Sequence, residues 1–132
     1  MENNQIVITE SSMETSIKNI TDRAMKSKVF NAVENADASV GESLNQEIDM
    51  IHWIKDWTEQ LNEETGELET VPLWIIIDKD WKAYATSSKV VGRAMKRLIA
   101  MYGDEDLEKE PLKIKFMQEG TGKNKFNTLK LV

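Results

Sequence analysis

The chain is 132 residues long, 40% hydrophobic and net −6 in charge, which bounds it to one compact domain with a terminal arm to spare. With no cysteine and a single histidine, His52, it offers no disulfide, thiol nucleophile, zinc-thiolate site or histidine cluster, so no metal and no cofactor are expected. No apolar run approaches the roughly 18 residues of a membrane span, and the polar start Met1-Glu2-Asn3-Asn4-Gln5 lacks the basic and apolar regions of a secretory signal, so a soluble cytoplasmic protein without a membrane partner is expected.

Residues 1–27 are polar. Ile17, Ile20 and Ala24 recur at helical spacing behind Ser11, Ser12 and Thr15, each able to cap, so the segment reads either as a short amphipathic helix or as a mobile arm, expected to be dispensable for folding. The folded domain is expected over 28–132. It begins with an apolar peg, Val29, Phe30 and Val33, followed by a loop from Glu34 to Gly41. Gln46 to Trp57 then alternates as a strand, with Ile48, Met50, His52 and Ile54 on one face and Ile51, Trp53 and Trp57 on the other. Apolar on both sides, it suits a curled barrel. His52 sits on the apolar alternation, which favours a buried, hydrogen-bonded histidine over a catalytic one. Thr58 to Glu69 reads as a solvated acidic loop carrying Glu59, Glu63, Glu64, Glu67 and Glu69, with a hairpin connection at Asn62 to Gly66. It lacks the alternating ligands of a calcium loop.

Val71 to Thr86 reads as two strands folded back on each other. Val71, Leu73, Ile75 and Ile77 fall on one face and Trp74 and Ile76 on the other, so the first strand is central. Asp78-Lys79-Asp80 turns the chain, and Ala83 and Ala85 alternate with Tyr84 and Thr86. Ser87 or Ser88 then caps a helix from Lys89 to Tyr102, ended by Gly103. Val91, Met95, Leu98 and Tyr102 form its apolar stripe, with Arg93, Lys96 and Arg97 opposite on a face read as solvated. Beyond an acidic linker, Leu112 to Gln118 and Lys125 to Val132 make a second hairpin around Gly120-Thr121-Gly122. From Leu112 onward there are five lysines and one acid, so this end is +4 while the rest of the chain is −10. An acidic molecule can thus keep a basic binding face.

Three strands, a helix and two strands, joined without a parallel crossover, give the order of a mainly β, five-stranded antiparallel OB-fold barrel with one helix between strands 3 and 4. A two-layer sheet-and-helix sandwich is the alternative. Barrels of this kind hold single strands by stacking bases on aromatic rings inside a cationic groove. The residues that fit are Trp53, Lys55, Trp74, Lys82, Tyr84, Lys113, Lys115, Lys123, Lys125 and Phe126, with Trp57 and Trp81 as further rings. Trp74 opposes the core alternation of its strand and Trp81 lies in a turn, which points both outward. Trp53 and Phe126 serve equally well as barrel-end packing.

Several runs in this order resemble one family: Lys28-Val29-Phe30-Asn31-Ala32, Gln46-Glu47-Ile48, Asn62-Glu63-Glu64-Thr65-Gly66-Glu67, Asp78-Lys79-Asp80 with Lys82-Ala83-Tyr84-Ala85-Thr86-Ser87, and Pro111-Leu112-Lys113-Ile114-Lys115 with Gly122-Lys123-Asn124. From Lys28 to Val132 the chain resembles the small single-stranded DNA-binding proteins of tailed bacteriophages, and the first 27 residues fall outside that resemblance. Trp81 departs from it, standing where the family tends to carry glycine. The resemblance implies a non-enzymatic protein of the host-cell cytoplasm. It would coat displaced single-stranded DNA during phage replication or recombination, with replication proteins and further copies of itself as partners. The competing reading is a protein-interaction or virion-associated module built on the same barrel. No catalytic signature supports an enzyme.

Overall fold

The computed structural model describes residues 13–132. The first twelve residues, and with them the caps offered by Ser11 and Ser12, lie outside the described residues. The chain then forms β1 (Glu14–Thr15), α1 (Arg23–Glu34), β2 (Ala38–Ser39), β3 (Glu47–Leu61), β4 (Leu68–Asp78), β5 (Ala83–Thr86), α2 (Lys89–Tyr102), β6 (Leu112–Glu119) and β7 (Phe126–Leu131). The strands run β2-β5-β4-β3-β6-β7 across one sheet, and β1 pairs with the free side of β3.

The five expected antiparallel strands are β3 to β7, with α2 between the third and fourth. The structure adds β1 and β2, and the β2–β5 pairing is parallel, so the sheet is mixed and seven-stranded. Two-residue strands carry no periodicity, which is why they escape a reading by alternation. Among the described residues no ladder joins β7 back to β5, so the sheet is curled rather than closed. Ser88 Oγ, at the start of α2, reaches the Asn127 carbonyl of β7 at 3.5 Å.

The central strands are apolar on both faces because both faces are covered. Ile48, Met50, Trp74, Ile76, Tyr84, Ile114 and Phe116 form an inner core closed by Val91, Met95 and Leu98 of α2. Ile51, Ile54, Ile75, Ile77 and Ala83 form an outer core beneath Ile17, Val29 and Ala32. Strict alternation along β3 would place Ile48, Met50, His52 and Ile54 together, and the structure corrects this. A bulge between Met50 and His52 adds one residue to the strand and exchanges its faces. Ile48, Met50 and Trp53 therefore join the inner core, and Ile51 and Ile54 the outer one.

The chain from residue 13 is part of the packed body. Asp22 caps α1, accepting from Met25 N at 2.7 Å, and the helix runs straight through the expected boundary at 27/28. Ile17, Val29 and Ala32 are buried, so the described part of this stretch contributes to the outer core. Phe30 of the expected peg points outward, 63% exposed. The acidic stretch from Thr58 is likewise not a loop: β3 and β4 stay paired out to Leu61 and Leu68, and the turn closes through Asn62 N to Glu67 O at 2.8 Å.

Helix α2 follows the expected pattern. Ser88 Oγ accepts from Val91 N at 3.2 Å, and Val91, Met95 and Leu98 are buried with Tyr102 packed beside them. Gly92 is there for close approach: a Cβ would meet Trp74 Nε1 at 2.8 Å. A mid-helix glycine costs about 1 kcal/mol against alanine, and here it lets the indole lie flush on the helix. Among the described residues no helix is long and apolar enough to cross a membrane.

Candidate nucleic-acid interface

Two of the rings expected to face outward are core. Trp74 is 3% exposed and packs in the inner core, since the face opposite Ile75 and Ile77 is the one α2 covers. Tyr84 is also 3% exposed, stacked at 5.8 Å on Phe116 and donating its hydroxyl to Asp78 Oδ2 at 2.9 Å. Burial, reinforced by that bond and the nearby Asp78, Asp37 and Asp80 charges, pushes its phenol well above the usual range. Lys82 Nζ lies 5.4 Å from the Tyr84 ring. Neither Trp74 nor Tyr84 offers a face to a base.

The partly exposed rings lie elsewhere on the same ribbon. Beyond the bulge, Trp53, Lys55 and Trp57 share the inner face of β3, opposite Ile76, Trp74 and Pro72 of β4. Trp53 is partly exposed, tilted at 50° and 6.0 Å from Trp74. Lys55 Nζ lies 5.0 Å from the Trp57 ring and 5.8 Å from that of Trp74, close enough for cation–π attraction, and 4.0 Å from Glu14 of β1. Trp57 is partly exposed. Beside Pro72 and the Trp74 edge opens a groove of about 220 Å³ whose far wall is the first turns of α2, with Lys89, Arg93 and Lys96. Residues 89–102 contain no acid, and none of these three cations pairs with a carboxylate among the described residues. Reading that helix face as solvated did not show its place across from Pro72 and the Trp74 edge, which only the tertiary fold reveals.

The remaining expected residues gather on a different surface. Lys113, Lys115 and Phe126 share the outer face of the β6–β7 hairpin, and Lys123 and Lys125 lie at its tip. Phe126 is 42% exposed. Lys113 is already engaged, 3.5 Å from Asp49 and 4.0 Å from Glu47. Asp49 is held below its ordinary carboxylate range: burial pushes it up, but bonds to Lys79 and Lys113 and their charges outweigh that. The ten expected residues thus divide into a ribbon set (Trp53, Lys55, Trp74), of which only Trp74 lines the groove, a hairpin set (Lys113, Lys115, Lys123, Lys125, Phe126) and the pair Lys82 and Tyr84.

Trp81 is structural. Its φ of 60° is the left-handed region that suits glycine, a conformation costing a larger residue about 1 to 3 kcal/mol. The indole packs on the outer core, with Lys28 Nζ of α1 5.0 Å from the ring and His52 at 5.7 Å. It clamps α1 to the turn, which offsets the strain. His52 is the buried histidine expected, its Nε2 2.9 Å from Glu108 and its Nδ1 3.1 Å from Ser16 Oγ.

Neither a curated protein nor a solved structure matches the chain. A family model described as phage single-stranded DNA-binding protein matches residues 4–132, so the match takes in nearly all of the first 27 residues that the resemblance had left out. An open, twin-cored sheet with a cationic groove between β4 and α2 is thus the form taken here by a member of the phage single-stranded DNA-binding protein family.

Proposed function

We propose that the chain binds single-stranded DNA without marked sequence preference, coating strands displaced during phage DNA replication or recombination in the host cytoplasm. In this reading the curled sheet is an OB-like barrel left open along β7. Bases stack on Trp57, supported by Trp53 and Lys55, and the phosphates run along Lys89, Arg93 and Lys96. The observation that carries it is the groove itself, where Pro72 and the Trp74 edge, next to the partly exposed Trp57 that pairs with Pro72, lie across from three cations unpaired among the described residues. Stacking tolerates any base because each has a π-face, and the cationic wall supplies a contribution that salt weakens. The strongly acidic remainder repels phosphate elsewhere and keeps the affinity modest. The test is tryptophan emission during titration with oligothymidine at low and moderate salt. Quenching that weakens with salt is expected. Unchanged emission with no shift in mobility at low salt would overturn the reading in favour of a protein-interaction module.

A further inference from the structure

The β3–β4 ribbon ends in an apolar knob ringed by acid. Leu61 and Leu68 face each other across the ladder, 57% and 64% exposed, on the same sheet face as Trp57. From residue 59 to 69 there are five glutamates and no basic residue. The four residues from Thr58 to Leu61 carry the knob about 13 Å past the covered part of the sheet at the usual rise per residue. The two side chains form an exposed apolar pair able to act as a docking knob, and the surrounding carboxylates repel nucleic acid as a partner.

The molecule also holds the complementary shape. Between α2 and β7, the last strand of the sheet, lies a groove of about 300 Å³ lined by Val90, Ala94, Leu98 and Leu129 together with Arg97, Lys130 and Arg93, the last shared with the groove beside Trp74. None of these cations has a carboxylate partner among the described residues. Its apolar floor is a poor match for a bare phosphate chain and a good one for two leucines, and its rim has the sign the glutamates require.

We infer that this groove receives the Leu61–Leu68 knob of a second copy of the chain. The two surfaces are different patches of one molecule, so the contact is head-to-tail and generates an open row instead of a closed dimer. On a shared strand, copies already held side by side would meet at high effective concentration, and a weak contact would suffice to align them. The contact itself needs no DNA, so it can be tested apart from the proposed function.

The experiment is sedimentation of the full chain over a concentration series at low salt, without DNA. It compares the native chain, the ribbon variant Glu67→Lys/Glu69→Lys and the groove variant Arg97→Glu/Lys130→Glu, all at exposed positions. Association that rises with concentration and falls with salt is expected for the native chain. Each variant alone should associate about tenfold more weakly, as two exposed attractions become repulsions, and an equimolar mixture of the two should recover it, because the two new lysines flanking Leu68 in one then meet the two new glutamates of the groove in the other. A native chain that stays monomeric at every concentration, or association that survives both reversals, overturns the inference. A groove variant that associates normally but binds a short oligothymidine less tightly would make the groove a phosphate site and overturn it as well.

Discussion

Trp74 and Trp57 stand on one face of one ribbon, two paired positions apart along it, and do opposite work. Over Trp74 lies α2, brought close by Gly92, and the indole becomes part of the inner core. The ribbon at Trp57 has run past the helix, and its indole is left partly open beneath Lys55. What separates a core ring from a stacking platform here is not alternation, which is the same for both, but how far the covering helix reaches. The same gradient continues outward, from a strand buried on both faces at Ile75 to Ile77, through the aromatic strip, to an acidic tip exposed on both.

The comparison predicts a division between stability and binding. Trp74→Ala should cost about 3 to 5 kcal/mol of stability, as for a fully buried aromatic, measured by urea unfolding. A loss below about 1 kcal/mol, against that same range, would mean that the helix does not bury it. Gly92→Ala should also destabilise the fold despite alanine's better helix propensity, because the new methyl has to displace the Trp74 ring. If the variant melts higher than the native protein, the helix and the indole do not lie flush.

Trp57→Ala is expected to behave in the opposite way. Its melting temperature should change little, while oligothymidine affinity drops by about 1 to 3 kcal/mol for the base that loses its platform. Lys89→Gln, Arg93→Gln and Lys96→Gln should each flatten the salt dependence of binding by about 0.7 in log–log slope for every phosphate that the side chain no longer neutralises. Unaltered slopes in all three would place the phosphates elsewhere.

The smallest effect concerns Asp49. Its carboxyl is held below the ordinary 3.8, so its ion pairs stabilise the fold above that pH, and the contribution is lost as pH falls through the lower folded value. Between pH 5 and pH 3 the urea midpoint of the native chain should therefore fall more than that of Asp49→Asn. Parallel curves would show that Lys79 and Lys113 do not hold it.

Much of the frame was legible in the residues. The two hairpins, the Ser88 cap, the Val91-Met95-Leu98 stripe and the buried His52 follow from period, turn chemistry and capping, all local properties. The bulge after Met50 was not, because Ile51 is as apolar as its neighbours and nothing marks the extra residue. Of the outer core only the Val29 peg was legible; that α1 starts at Arg23 and brings Ala32 beside it, with Ile17 packed there too, was not. Trp74 and Tyr84 were assigned outward from alternation alone, which fixes a face but not what covers it. Arg93 and Lys96 carried the right chemistry all along, and only the fold brings them across from Pro72 and the Trp74 edge.

The most direct test sets two accessible rings against each other: Trp57, paired with Pro72 at the wall of the α2 groove, and Phe126, beside the lysines of the β6–β7 hairpin. Oligothymidine binding is measured for Trp57→Ala and Phe126→Ala at the same low salt, with folding of both checked by circular dichroism. The account predicts a marked loss of affinity for Trp57→Ala and near-native binding for Phe126→Ala. The reverse outcome, full binding without Trp57 and a loss without Phe126, would contradict it and move the interface to the hairpin.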